Sequence, residues 1–135
     1  MKIVVDTNIL IDYANGYAVW LGALLSLEKR TIQLVLPTIV IAEYFTSTAL
    51  EKEYEAKIAD ETFAFFSKQD LTEEVAKVLG SILRRKTYQK GAGLADLIIA
   101  ATTISLGGQL ATRNKADFAK IPGLVFFEPE KVKYE

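Results

Sequence analysis

Three carboxylates stand alone inside the most apolar runs of this 135-residue chain. Asp6 follows Ile3-Val4-Val5, Glu43 lies within the run from 39 to 45, and Asp96 lies within the run from 94 to 101. None of these runs contains a lysine or an arginine. A buried carboxylate without a cation must become protonated or find positive charge elsewhere in the fold. Because Mg²⁺ and Mn²⁺ prefer carboxylate oxygens, three such groups meeting in one place would form a divalent-metal site.

The segment from Thr112 to Asp117 offers further polar groups. Asn114 has a neutral carbonyl oxygen and Asp117 a carboxylate, and one helical turn separates them, so the sequence leaves open which would complete the site. Asp117 is equally well explained as a solvated residue of a surface turn. Thr112 and Arg113 are candidates for orienting a phosphate or a water. Thr7 and Asn8, the neighbours of Asp6, are further candidates for contacting substrate.

Each isolated carboxylate also has a purely structural explanation. The order Asp6-Thr7-Asn8 after a strand is typical of a helix N-cap. Glu43 could be paired with an arginine from another helix. Asp96 falls in a predicted helix that is otherwise apolar from 94 to 101. Since aspartate is a poor residue for a helix interior, we expect some interaction to stabilise it there.

The composition excludes several classes of active site. There is no cysteine and no histidine, so disulfides, thiolate-zinc sites and Ser-His or Cys-His catalysis are excluded. Acid–base chemistry is left to carboxylates, lysine, tyrosine or metal-activated water. A net charge of -1 provides no overall basic field, so any nucleic-acid contact is expected to be local and metal-assisted. We expect one domain over residues 1–135 and a cytoplasmic protein, because no apolar run approaches a membrane span and no hydrophobic leader follows Met1.

Short apolar strands alternate with helices along the chain. The expected strands are 2–5, 33–36, 109–112 and 124–127, with a short further strand near Leu71. The expected helices are 9–14, 18–29, one beginning at Pro37-Thr38, 51–66, 72–86 and one that carries Asp96 and ends before Gly107-Gly108, with a brief turn at 115–119. This alternation predicts an α/β fold whose parallel sheet is covered on both faces. Active crevices in such sheets lie beyond the carboxyl ends of the strands, where Asp6 and the 112–114 segment are predicted to lie.

Four motifs, spread in order along the whole chain, resemble those of one family. They are Val5-Asp6-Thr7-Asn8, the lone Glu43, Leu94 to Ala101 around Asp96, and Leu110 to Phe118 followed by Ile121-Pro122-Gly123. In this order and spacing they are similar to the motifs of PIN-domain ribonucleases, and most similar to those of the toxins of VapBC-type toxin–antitoxin pairs. The resemblance implies a PIN-like α/β fold with a central, mostly parallel sheet of four to five strands and helices on both faces.

The same resemblance implies a metal-dependent endoribonuclease. In the family a quartet of acidic or polar residues surrounds one or two Mg²⁺ or Mn²⁺ ions. Cleavage by a metal-activated water would leave a 5′-phosphate. Asp6, Glu43 and Asp96 match three positions of the quartet, and either Asn114 or Asp117 matches the fourth. The implied partners are an RNA substrate, a small antitoxin whose tail lies in the acidic groove, and a second copy of the chain in a homodimer.

Local positive charge is expected to attract the RNA. Arg113, the run Arg84-Arg85-Lys86 and Lys90 are candidate phosphate contacts. The run could instead serve only to stabilise a helix C-terminus. The alternative function is a PIN-like module that binds nucleic acid or protein with weak or no catalysis. A nucleotide-binding module is disfavoured, because Gly91-Ala92-Gly93 lacks a P-loop lysine and a preceding strand.

Overall fold

The computed structural model describes residues 1–26 and 31–131. Within these residues are four β-strands and six α-helices. The strands are β1 (Lys2–Val5), β2 (Gln33–Pro37), β3 (Ser67–Gln69) and β4 (Gln109–Ala111). The helices are α1 (Thr7–Ala14), α2 (Val19–Leu25), α3 (Thr38–Tyr44), α4 (Glu53–Phe63), α5 (Glu73–Arg85) and α6 (Leu94–Ser105), and 3₁₀ turns lie at Thr48–Glu51, Lys115–Phe118 and Pro129–Lys131. None of the helices in these two ranges has the length and apolarity needed to cross a membrane.

The four strands form one parallel sheet in the order β3-β2-β1-β4. Val4 of β1 lies opposite Val35 of β2 and Leu110 of β4. Ile3, Val4 and Val5 are all fully buried. Since successive side chains of a strand point to opposite faces, both faces of β1 are covered. The sheet confirms the predicted α/β class, and its central strand explains the uninterrupted apolar run at the start of the chain.

The edges of the sheet differ from the sequence prediction. The short third strand predicted near Leu71 is present as β3, but the prediction that Leu71 lies on it is wrong, because β3 ends at Gln69 and Leu71 is an exposed residue that follows it. β3 reads Ser-Lys-Gln, and a polar edge strand gives no apolar signal. The predicted last strand at 124–127 is reduced to one bridge between Phe126 and Leu110. Residues 27–29 of the predicted second helix lie outside the described residues.

The carboxyl ends of β1, β2 and β4 hold the residues that the sequence singled out. Asp6 follows β1 and donates its backbone N–H to the carbonyl oxygen of Ala111 at the end of β4. α3 begins directly after β2, with Pro37 at its N-cap, and carries Glu43 in its last turn. α6 contacts both α3 and β1, and the charge of Asp6 acts on Asp96 in its first turn. That turn therefore lies near Asp6 at the carboxyl edge of the sheet, called the rim below.

Gly108 allows β4 to approach β1 closely. A Cβ at this position would lie 2.9 Å from the backbone carbonyl oxygen of Lys2, a distance that a real Cβ essentially never reaches. Glycine is therefore required where the chain enters β4. This close approach lies at one end of the β1–β4 pair, and the register of the pair brings Thr112 next to Asp6 at the other end.

Candidate active site

Asp6 lies at the centre of the candidate site and is 5% exposed. Its Oδ1 accepts a hydrogen bond from the backbone N–H of Thr7 at 2.7 Å, and its Oδ2 accepts from the Thr112 hydroxyl at 2.8 Å and from the Asn8 side-chain amide at 3.3 Å. Asp6 is also the N-cap of α1, as the structural explanation predicted. Burial raises the pKa of Asp6 and the negative charge of Glu43 raises it further, while the hydrogen bonds from Thr112 and Thr7 only partly offset this.

Thr7 bridges Glu43 and Asp6. The Thr7 hydroxyl donates to Glu43 Oε1 at 2.8 Å, while its backbone N–H is bound to Asp6. The arginine partner considered for Glu43 is not found, since no ion pair in the described part of the chain includes it. Thr7 therefore holds two carboxylates of the same charge side by side without neutralising either.

Asp96 lies in the first turn of α6, three residues after the N-cap Gly93. The sequence had placed it in a helix interior, which is wrong, and the first turn is where the helix dipole favours a carboxylate. Burial raises the pKa of Asp96, and the charges of Asp6 and Asp117 raise it further against the lowering effect of the Gly93 N–H.

The two candidates for the fourth position lie in the same short turn but are engaged differently. Asn114 holds the turn with its backbone, donating its N–H to the Thr112 hydroxyl at 3.1 Å and accepting from the Asp117 N–H at 3.0 Å. Asp117 is exposed, and its charge contributes to the raised pKa of Asp96. Of the two side chains, that of Asp117 interacts electrostatically with another carboxylate of the site.

The donor set suits a hard divalent cation, although it is not closed around one. Asp117 repels Asp96, Asp96 repels Asp6, and Asp6 repels Glu43. Within residues 1–26 and 31–131 no three acidic side chains lie close enough to form a ready metal-binding cluster. All available ligand atoms are oxygens, and their mutual repulsion is what a divalent cation would relieve. Binding would require these side chains to rotate towards one another.

A polar network behind Asp6 fixes the end of β4 to α1. Asn8 accepts from the backbone N–H of Arg113 at 3.1 Å, and its side-chain amide lies 3.4 Å from the Thr112 hydroxyl. The Arg113 guanidinium forms an ion pair with Asp12, with Nε 3.1 Å from Oδ2. Asp12 was not singled out from the sequence. The available signal was its spacing of four residues from Asn8, which puts both polar side chains on one face of α1.

The sequence profile of the PIN domain matches residues 3–124. The chain belongs to the PIN-domain family. Solved structures with the same fold include toxin–antitoxin complexes. A chain of VapBC2 from Rickettsia felis, solved bound to a DNA fragment from their promoter, is 27% identical, with a TM-score of 0.77 over 94% of this PIN domain and 98% of that chain.

Two further solved structures extend the comparison. A chain of a toxin–antitoxin complex from Klebsiella pneumoniae is 28% identical, with a TM-score of 0.70 over 96% of this PIN domain and 99% of that chain. VapBC-1 from nontypeable Haemophilus influenzae is 22% identical, with a TM-score of 0.77 over 97% and 100% of the two chains, and at that identity it shows the fold alone. Among curated proteins there is no match. The family profile and these structures confirm the resemblance to PIN domains and VapBC-type toxins that the motifs indicated.

Proposed function

We propose that this PIN domain is a divalent-metal-dependent endoribonuclease and the toxin of a toxin–antitoxin pair. The observation that carries the proposal is the buried Asp6, which is next to like charges and has no cationic partner among the described residues. A fold does not retain such repulsion for stability, because a neutral side chain of the same shape would avoid it. A site that binds a cation accounts for it.

The roles of the side chains follow from their contacts. Asp6 and Asp96 would hold a Mg²⁺ or Mn²⁺ ion, with Glu43 and Asp117 as the further ligands. When bound, the ion supplies Lewis acidity and lowers the pKa of water towards neutrality. Thr112 and Asn8 orient Asp6 Oδ2, and Thr7 orients Glu43 through its hydroxyl. Glu43 would either bind the ion or accept a proton from an attacking water.

The proposed partner is a small antitoxin protein. Its support comes from the solved relatives, in which a matching chain belongs to VapBC2 of Rickettsia felis or to a toxin–antitoxin complex of Klebsiella pneumoniae. A basic antitoxin side chain near Asp6 would relieve the same repulsion that a metal ion relieves. We expect the PIN domain to form a homodimer and to act in the cytoplasm.

The test is cleavage of a labelled structured RNA by the purified protein with Mg²⁺, with Mn²⁺ and with EDTA. We expect cleavage with either ion, none with EDTA, and a loss of about 100-fold or more in Asp6→Asn and Asp96→Asn, because each loses a metal ligand. Asp60→Asn, a change of the same type at an exposed position on α4, serves as the control and should retain activity. Unchanged cleavage in both site variants would contradict the proposal.

The alternative is a PIN-like module that binds RNA or protein with weak or no catalysis. The absence of a ready acidic cluster in the described residues favours it over a preassembled nuclease. It predicts RNA binding without cleavage in either metal, and binding that does not change when Asp6 is replaced by asparagine.

A further inference from the structure

The ion pair between Asp12 and Arg113 lies directly beside the proposed site. It joins α1 to the residue that follows Thr112, with Nε and Oδ2 3.1 Å apart. The Arg113 side chain is 58% exposed and that of Asp12 is 23% exposed. Such a half-exposed pair adds little to stability. Removing the pair should therefore disturb folding little, so that its effect on function can be measured separately.

Arg113 is held at two points by the same face of α1. Asn8 accepts from its backbone N–H at 3.1 Å, and Asp12, one turn further along the helix, pairs with its guanidinium. Asn8 in turn donates to Asp6 Oδ2. The position of Arg113 is thus tied to that of the central carboxylate through one intervening side chain.

The way in which Arg113 is held leaves it able to bind an anion. Its contact with Asp12 uses Nε, and in residues 1–26 and 31–131 no second carboxylate pairs with the guanidinium. A guanidinium presents five N–H donors in a fixed plane, so pairing at Nε still leaves the terminal groups to bind a phosphate in a two-point contact. The partner carboxylate then fixes the direction in which that plane faces.

We propose that Arg113 binds a phosphate of the RNA strand beside the scissile bond and that Asp12 is the positioning residue that orients its guanidinium. The inference rests on the proposed function. For the RNA affinity of an Asp12 variant, it predicts a change opposite to the one that electrostatics alone predicts. A carboxylate on a surface that binds RNA repels the phosphates, so charge alone predicts tighter binding when Asp12 is neutralised. Positioning predicts weaker binding.

The measurement is fluorescence anisotropy of a fluorescein-labelled RNA hairpin with Mg²⁺, in the Asp96→Asn background so that cleavage does not interfere. We expect Arg113→Gln to weaken binding by about 10-fold, the loss of one phosphate contact. Asp12→Asn should weaken it by about 3- to 5-fold, because Arg113 stays charged but loses its orientation. Asp60→Asn on α4, matched in charge, should leave binding unchanged or slightly tighter.

A double variant separates positioning from a general effect on the fold. With Arg113 already replaced by glutamine, Asp12→Asn should no longer weaken binding, since there is no guanidinium left to orient. Arg113→Lys should behave like Asp12→Asn, because an ammonium keeps the charge but lacks the planar fork. Asp12→Glu keeps a carboxylate and should therefore retain much of the RNA affinity that Asp12→Asn loses. Equal weakening by Asp12→Asn in both backgrounds would overturn the inference.

Cleavage kinetics of the otherwise unaltered protein give a second readout. Asp12→Asn should raise KM and leave kcat within about 2-fold, because an orienting contact to a flanking phosphate acts on substrate binding. RNA binding that is detected in the Asp96→Asn background and is unchanged or tightened by Asp12→Asn would contradict the inference alone. Absence of both binding and cleavage in the wild-type protein would contradict the proposed function, and the inference would fall with it.

Discussion

The carboxylates at the sheet rim and the cations at the end of α5 are two groups of like charges in different environments. At the rim, Asp6 is buried and Asp96 is half-buried, and the pKa of each is raised by burial and by neighbouring carboxylates. At the end of α5, Arg84, Arg85 and Lys86 are exposed to solvent. No described carboxylate forms an ion pair with any of these three cations.

The difference shows that the net charge of -1 averages two opposed local surfaces. Water solvates exposed like charges at little cost, whereas buried ones destabilise the fold until a counter-ion binds. The rim is therefore predicted to respond to metal ions, and the end of α5 to RNA phosphates. α6 follows α5 after the loop 86–93 and contributes Asp96, so one helical hairpin contributes to both surfaces.

The largest expected effect is the response of the rim to a divalent ion. An ion at 100 times its Kd stabilises the protein by about 2.7 kcal/mol, which raises Tm by roughly 9 °C for a chain of this length. Thermal unfolding with Mg²⁺ and with EDTA measures this difference. Asp6→Asn should abolish it, whereas Asp60→Asn should retain it. An equal rise in Tm in Asp6→Asn would show that the ion binds elsewhere.

Neutralising the end of α5 should come next in size. The double variant Arg84→Gln/Arg85→Gln is expected to weaken RNA binding by about 10-fold at low salt and to reduce the slope of log affinity against log salt by about 1 to 2, because two phosphate contacts are lost. The control, Lys57→Gln/Lys68→Gln, removes two exposed cations from α4 and β3. If both variants lose affinity equally, the end of α5 has no special role.

Lys86 tests whether that surface retains a strained residue. It is the C-cap of α5 in the left-handed conformation, with φ 53°, where glycine is the usual residue. Lys86→Gly should stabilise the protein by about 1 kcal/mol and raise Tm by roughly 3 °C, while weakening RNA binding slightly. Lys86→Ala keeps the Cβ and should bring no gain in stability. A lower Tm in the glycine variant would show that the left-handed conformation of Lys86 is not strained.

The smallest expected effect is the stability of the metal-free protein. Folding raises the pKa of Asp96 above its usual 3.8, so its ionisation disfavours the folded state at neutral pH. This penalty disappears as the pH falls through the raised pKa. In EDTA at pH 7, Asp96→Asn should therefore melt about 1–2 °C above wild type, and the gap should close towards about pH 4. A gap that widens on acidification would show that the pKa is lowered instead.

Much of the fold could be predicted from the sequence because its core elements carry strong local signals. The run Ile3-Val4-Val5 predicted a buried strand, and Thr72 followed by two glutamates predicted the start of α5, where its hydroxyl accepts from the Val75 N–H at 3.2 Å. The edges could not be predicted in the same way. β3 has no apolar residue, and its place in the sheet is set by pairing of Val35 with Ser67.

The sequence singled out the site carboxylates as energetic anomalies, but not how they are related. Apolar neighbours mark Asp6, Glu43 and Asp96 as unusual because carboxylates are rarely buried. Thr7 links Asp6 to Glu43, and the charge of Asp117 acts on Asp96. Both contacts depend on how the loops at the rim meet. Such contacts join residues far apart in the chain, and no local pattern encodes them.

By itself, the sequence determined the α/β class, the PIN-domain resemblance and the carboxylates of the proposed site, because periodicity, caps and misplaced charges are local properties. Only the tertiary structure decided which charges are neutralised. Arg113 could have paired with Asp117, four residues away, but its guanidinium pairs with Asp12 instead. Asp6 is left among repelling carboxylates. Which partner a charge finds depends on distances across the sheet rim, and these are set by strand register and close packing rather than by neighbouring residues.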